Sequence, residues 1–316
     1  MIVLANDGIT LKAIQALEKA GFEVNITKVA QNQLENFINE HNIDAVLVGS
    51  NTQIRQELIE ACPSLKLIGN SSSNMDNIDV EFAIDNGLHV INPKNASASS
   101  IAELVFAHLF GMARFLHSSN REMPLEGDMR FKDLNKAYSL GSELKGKTIG
   151  ILGFDKVGQE VAKIAIGLGM HVLAYDDFIE EATITLDFYN QQKIDFKINT
   201  IAIDEVLKES DFISLHLVNH EDYIITSKEF EKMKDGVGFI NTAKGGILNE
   251  VDLVNAIESG KVQYAGLDVF ETEPTPAVQL LMNPEISLSP NIGSSTKEAQ
   301  ERIGLELANQ IISLLN

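Results

Sequence analysis

The sequence predicts an α/β fold built as two doubly wound parallel-sheet domains. Its 316 residues, at roughly 150 per domain, give two domains. Strand-like apolar runs alternate with helical patterns from end to end, and the alternation restarts near Lys147 after a long helical stretch at 97–117. Such alternation means βα units, a parallel sheet and helices on its faces.

The first series reads as a strand at 1–5, a helix at 11–20 stopped by Gly21, and a strand at 22–27. Segments 34–41, 45–48 and 65–69 continue the rhythm. The second series opens with a buried strand at 148–153, a helix at 157–168 and a strand at 171–175 running into Asp176-Asp177. Further strands are expected at 211–217, 238–243, 264–269 and 286–289, with Asp204 and Asn249 as helix starts. Residues 178–199 alternate weakly, which suggests a hairpin. Between the series, Ser100-Ile101-Ala102-Glu103 has the pattern of a capping box, and Ile101, Leu104, Val105, His108, Leu109 and Met112 recur at helical spacing. A long apolar helix there is either covered by a second subunit or plain core.

Composition narrows the function. Apolar residues make up 44%, enough for a sizeable core, and the net charge of −20 repels nucleic acid and anionic membrane. The charge itself reads as solubility. A single cysteine, Cys62, excludes a disulfide framework, a cysteine zinc site and an iron–sulfur cluster. No metal site is expected, and a reducing cytoplasm fits. The first residues lack a signal-peptide pattern, and the apolar stretch 101–113, carrying Glu103 and His108, reads as too short and too polar to span a bilayer.

The strand ending at Leu152 is followed by Gly153-Phe154-Asp155-Lys156-Val157-Gly158 and a helix, and Asp176 stands at the end of the next strand. This is the context of the G-x-G-x-x-G dinucleotide fingerprint of Rossmann domains. Gly153 makes the tight turn, Gly158 lets helix and strand pack, and Asp176 suits ribose hydroxyls, hence NAD over NADP. The middle glycine is replaced by Asp155, whose side chain crowds the pyrophosphate and repels it, with Lys156 offsetting part of the charge. Two readings stand: a dinucleotide seat with a handicap, or a helix capped by its own carboxylate.

The chain resembles the D-2-hydroxyacid dehydrogenases, in particular short-form phosphoglycerate dehydrogenases of serine biosynthesis. The resemblance rests on Met75-Asp76-Asn77-Ile78-Asp79, Leu144-Lys145-Gly146-Lys147-Thr148, Asp211-Phe212-Ile213-Ser214-Leu215-His216, Gly245-Gly246, Gly266-Leu267-Asp268-Val269-Phe270, Glu273-Pro274 and Glu298-Ala299-Gln300, in order along the chain. It implies a substrate domain from residues 1–95 plus 291–316, an NAD domain from 96–290, a cleft between two Rossmann-like domains, and a homodimer built on helix 97–117. It implies reversible hydride transfer between a small 2-hydroxy acid and nicotinamide, and places His216, Ala243 and Asp268 beside the cofactor.

The resemblance also assigns three catalytic positions: Lys244, Glu273 and Asn291. The family has Arg, Glu and His there. Lysine keeps the charge but loses the planar fork that grips a carboxylate, and an amide neither gives nor takes a proton near neutral pH. The substrate loops differ too. Gly49 stands where the family has a phosphate-binding Arg, and the family loop G-R-G-G-x-G reads Gly69-Asn70-Ser71-Ser72-Ser73-Asn74, so an Arg and the glycines of a carboxylate cradle have become Asn or Ser; strain is expected wherever a left-handed backbone is needed. None of the seven histidines lies beyond His220, so no C-terminal neighbour replaces the missing acid; His216 reads as a structural strand-end residue. Glu273 is expected to contact Asn291 or Lys244. The pattern, intact scaffold beside altered functional loops, favours a family member whose catalysis is weak or lost. The alternatives are an active dehydrogenase on an altered acid and a metabolite-binding regulator.

Overall fold

The computed structural model describes residues 1–72, 75–217 and 222–315, except for the side chain of Lys94. The chain divides into two compact units, Met1–Ala98 with Ser294–Asn316, and Ser99–Gly293.

The first unit runs β1 (Ile2–Ala5), α1 (Leu11–Lys19), β2 (Glu23–Asn25), α2 (Leu34–Glu40), β3 (Ala45–Val48), α3 (Gln56–Ala61), β4 (Leu67–Asn70), α4 (Val80–Asp85) and β5 (His89–Ile91). The strands form a parallel sheet in the order β2-β1-β3-β4-β5. Alternate strand residues feed opposite faces. Val3, Ala5, Leu47 and Leu67 pack with Ala13 and Leu17 of α1. Leu4, Val46, Val48 and Ile68 pack with Leu34 and Ile38 of α2 and Ile59 of α3. Burial on both faces explains why β3 is apolar at every position.

The second unit opens with α5 (Ala98–Ala113), α6 (Leu116–Glu126) and α7 (Phe131–Ala137). It continues as β6 (Thr148–Leu152), α8 (Lys156–Gly167), β7 (His171–Tyr175), β8 (Glu181–Asp187), β9 (Lys193–Asn199), α9 (Ile203–Glu209), β10 (Phe212–Leu215), α10 (Ser227–Lys232), β11 (Val237–Asn241), α11 (Glu250–Glu258), β12 (Val262–Leu267), α12 (Val278–Leu281) and β13 (Ile286–Leu288). The six-stranded parallel sheet has the order β13-β12-β11-β10-β6-β7, while β8 and β9 pair antiparallel as the expected hairpin. One face is covered by α5 and α8 through Val105, Leu109, Val161 and Ala165; the other by α9, α10 and α11 through Val206, Phe230 and Leu253. The order reverses between β6 and β10, so the carboxyl ends of these strands flank the crevice where α/β sheets take ligands. The last helix, α13 (Lys297–Leu315), returns to the first unit and buries Ile303, Leu307 and Ile311 there.

Several boundaries differ from the sequence reading. A 3₁₀ turn at Lys94–Ser97 leads into α5, so Ser100 lies inside the first turn and is not the cap. The helix ends at Ala113, and Phe115 adopts φ 54° before α6 begins. Counted from Asn95, the stretch is long and apolar enough to cross a membrane, which corrects the shorter reading; with 67% of it buried, it is the core helix of its unit. Asp204 sits in the first turn of α9 behind Ala202, whereas Asn249 caps α11 by accepting from the Asp252 amide at 3.0 Å.

Candidate active site

The turn after β6 has the close geometry a dinucleotide fold needs. Gly153 has φ 100°, and a Cβ there would lie 2.6 Å from the carbonyl carbon of His216; one at Gly158 would lie 2.2 Å from the Gly153 oxygen. Both glycines are therefore fixed by packing. Asp155 is different. Its φ of −66° suits any residue, and its Oδ1 accepts from the Val157 amide at 3.0 Å and the Gly158 amide at 3.4 Å, capping α8. Lys156 turns to Glu160, 3.1 Å away, which also holds Lys163 at 2.9 Å. Burial pushes the Glu160 carboxyl up, but the two lysines outweigh it and hold it below the usual range. Asp176 ties the turn to the end of β7: Oδ2 accepts from Phe154 N at 2.6 Å, and Oδ1 from Phe178 N and Ile179 N at 2.9 and 3.0 Å.

At the carboxyl end of β10, His216 is buried with Nε2 2.8 Å from Ser214 Oγ, and burial pushes its pKa down to about 3. Leu215 pairs in register with Asn241, so His216 and Thr242 follow side by side. His216 Nδ1 and Thr242 Oγ1 are both buried without a partner. Asn241 shapes the next loop, accepting from Ala243 N at 3.1 Å and donating to the Lys244 carbonyl at 3.0 Å. A Cβ at Gly245 would lie 1.9 Å from the Phe270 oxygen, so this loop is pressed against the one after β12. Lys244 is half-buried and makes no ion pair among the described residues.

The tight glycine turn, Asp176 and the two unpartnered polar atoms fit the two ends of NAD. The phosphates between them would meet Asp155.

The loop after β12 is organised by Asp268, which is buried. Its Oδ1 accepts from Ser289 Oγ at 2.6 Å and Ile292 N at 2.9 Å, its Oδ2 from Gly293 N at 2.8 Å, and its carbonyl from Asn291 N at 2.8 Å. Burial raises its pKa, the three bonds oppose this, and nearby Glu273 adds to the rise. Asn291 is held at φ 54°, a left-handed conformation that asparagine tolerates. Its Nδ2 donates to Glu273 Oε2 at 2.9 Å, while Glu273 Oε1 accepts from Phe270 N at 3.2 Å. Of the two contacts expected for Glu273, the one to Asn291 is made. A pocket of about 390 Å³ adjoins this pair, walled by Phe270, Pro274, Leu281, Leu288 and Pro290.

One residue under this loop escaped sequence reasoning. His108 of α5 is buried, with Nδ1 2.8 Å from Ser287 Oγ and Nε2 2.9 Å from Ser289 Oγ. Ser289 spends its hydroxyl proton on Asp268, so it accepts from Nε2–H, and Nδ1 accepts from Ser287. Burial, aided by the charge of His117, pushes the pKa of His108 down to about 4, so the ring is neutral at pH 7. Its helical spacing marked it as core, but nothing local pointed to Ser289, 181 residues away.

In the first unit, the Gly49 amide donates to Asp7 Oδ2 at 2.7 Å, and Lys28 pairs with the same carboxylate. Burial pushes Asp7 up, but Lys28, Gly49 and Thr52 hold it below its ordinary range. Asn70 is fully buried; its Nδ2 donates to Asn77 Oδ1 at 3.2 Å, and its Oδ1 accepts from Ser72 N and Oγ at 2.7 and 2.6 Å. Ser71 donates from N and Oγ to the Val48 carbonyl. No residue of 70–72 has positive φ, so the strain expected there is absent. Ser73, Asn74 and His220 lie outside the described residues.

The fold and the glycine turn define a dinucleotide-dependent oxidoreductase scaffold. Residues 106–293 match the NAD binding domain of the D-isomer specific 2-hydroxyacid dehydrogenases. The chain is 38% identical to hydroxypyruvate reductase of Thermotoga maritima, over 99% of this chain and 98% of that one. It is 36% identical to D-3-phosphoglycerate dehydrogenase of Archaeoglobus fulgidus over 99% of its own length, but spans only 57% of that relative. A glyoxylate reductase from Paecilomyes thermophila superposes with a TM-score of 0.80 at 28% identity, covering 99% of this chain and 95% of the other. The chain belongs to the D-2-hydroxyacid dehydrogenase family, and its second unit contains the family's NAD-binding domain.

Proposed function

We propose that this chain is a catalytically weakened D-2-hydroxyacid dehydrogenase that binds NAD and a small, unphosphorylated 2-hydroxy or 2-oxo acid. The observation that carries the reading is the hydrogen bond from Asn291 Nδ2 to Glu273 Oε2 at 2.9 Å. The family's proton carrier is a histidine paired with that glutamate, and here the glutamate is bonded to an amide that carries no exchangeable charge. Bound NAD would supply or accept the hydride. The chain's own residues orient the acid: Lys244 offers one cation without the bidentate fork of arginine. The first unit supplies the substrate loops, where Gly49, at the position of the family's phosphate-binding arginine, gives its amide to Asp7. The full-length match to a hydroxypyruvate reductase agrees with an unphosphorylated substrate.

A second reading, an active enzyme on an altered acid, is favoured by one feature: the Lys244 ammonium has no carboxylate partner among the described residues. The test is NADH oxidation by the purified chain with hydroxypyruvate and glyoxylate, and NAD reduction with 3-phosphoglycerate. Slow or absent turnover in all three supports the first reading; turnover at about 10 s⁻¹, ordinary for enzymes, establishes the second. The assembly proposed is a cytoplasmic homodimer through residues 97–117, supported by the exposed Phe110 and Leu116; light scattering of the eluted protein checks it.

A further inference from the structure

Asp155 carries an inference about ligand affinity that does not depend on proton transfer at Asn291. In a dinucleotide turn the first amides of the helix are the seat for the pyrophosphate, because they point outward and the helix dipole favours an anion. Here two of those amides, Val157 N and Gly158 N, already donate to Asp155 Oδ1. The neighbouring cation is also engaged elsewhere. Lys156 is paired with Glu160, whose side chain is only 12% exposed and which is held in place by Lys163 as well. The seat therefore contains a tethered carboxylate and faces a lysine whose charge is committed one turn into the helix. Packing does not demand this arrangement. Gly153 and Gly158 are the residues that close contacts require, while Asp155 has a φ of −66° open to any side chain.

We propose that Asp155 sets the affinity of the dinucleotide seat. Its carboxylate competes with the ligand's phosphates for the Val157 and Gly158 amides, and NAD(H) binds only as that carboxylate leaves the helix terminus. The affinity is thus set at the middle of the ligand, not at the Asp176 end.

The test is titration of the full-length protein with NADH, read by the nucleotide's fluorescence, for wild type, D155G and D155N. D155G empties the seat; D155N keeps a capping oxygen and removes the charge. The expected result is a dissociation constant lowered about tenfold or more in D155G, the scale of losing one charge-assisted contact, with D155N between the two. A wild type that shows no binding beside a D155G that binds also supports the proposal. Equal affinities in all three proteins, or no binding in any, overturn it. Should D155G fail to fold by circular dichroism, D155N decides alone: tighter than wild type supports, unchanged overturns.

Discussion

The glycine turn after β6 and the loops that join Asp268, Glu273 and Asn291 sit at the carboxyl edge of one sheet and are built alike. Each is knitted by an aspartate that collects backbone amides: Asp176 takes those of Phe154, Phe178 and Ile179, and Asp268 those of Ile292 and Gly293. Each has a buried histidine close beneath it, His216 for the turn and His108 for the loop. They differ in what their ligand-facing position has become. At the turn, the Asp155 carboxylate accepts from the first amides of α8. In the loop, Asn291 gives Glu273 a hydrogen bond, at the position where the reading proposed above expects a proton carrier. On the reading proposed above, the first is a competition that a ligand can win, and the second removes a reaction step that no ligand restores. Inward-facing groups fix the shape of both loops, so shape survives a change in the outward-facing residue.

The strongest way to break this comparison is to restore the reaction step. N291H places an imidazole beside Glu273 on a backbone that Asp268 already holds. Combined with K244R and D155G, it is expected to raise NADH-dependent reduction of 2-oxo acids by about 10²–10⁴-fold, the usual worth of one general acid. N291Q in the same background is expected to give no gain. If N291H and N291Q behave alike, the loop is not a dormant catalytic loop.

The turn offers the next largest effect, on stability. G158A drives a methyl to 2.2 Å from the Gly153 oxygen, and G153A adds a positive φ to a 2.6 Å backbone clash. Each is expected to cost roughly 3 kcal/mol in chemical denaturation, at the upper end of overpacking. D155G, inside the same hexapeptide, is expected to cost about 1 kcal/mol or less. Equal losses at all three positions would mean that the middle position is also a packing position, and the contrast between shape and seat would fail.

Much of this was legible in the chain itself. β3 and β7 lie where their apolar runs put them, and Asn249 caps α11 as its position before Glu250 implied. The site motifs were legible because glycines at fixed offsets report close backbone approaches. What stayed hidden was long-range. The bond from His108 to Ser289 crosses 181 residues, and the engagement of Gly49 by Asp7 crosses 42. The start of α5 was misplaced because a 3₁₀ turn extends it backward, and Ser100-x-x-Glu103 imitates a cap from within the first turn. The helices α6 and α7 carry few buried side chains, so their apolar periodicity is weak.

The two buried histidines make both regions sensitive to acid. His108 and His216 have folded pKa values lowered to about 4 and about 3, against an ordinary 6.5. The unfolded chain therefore binds these protons first. The stability each confers is full above pH 6.5 and is lost as pH falls from there toward the folded value, roughly 2 kcal/mol apiece by pH 5. Replacing either with Asn is expected to flatten the melting temperature between pH 7 and pH 5, whatever the change at pH 7. Because Asn tolerates the partnerless Nδ1 environment of His216 better than it replaces the two bonds of His108, H108N is expected to lose more stability at pH 7 than H216N.

The smallest expected effect tests whether Asp155 stabilises its helix at all. Asn249 caps α11 with one bond at 3.0 Å, to the Asp252 amide, while Glu271 Oε1 takes the Glu250 amide of the same terminus at 2.9 Å, so N249A should cost about 1 kcal/mol. Asp155 makes the same kind of cap on α8, but it follows Phe154, whose amide Asp176 binds, and precedes Glu160 by little more than one turn of the helix. Like charges there erode the gain from the helix dipole, the more so at low salt. D155A is therefore expected to cost less than N249A, by a few tenths of a kcal/mol, and D155N to cost nothing or to stabilise, as read by urea midpoints at two ionic strengths. A D155A loss that matches or exceeds that of N249A would make Asp155 an ordinary cap kept for the helix, and its place in the phosphate seat would be incidental to folding.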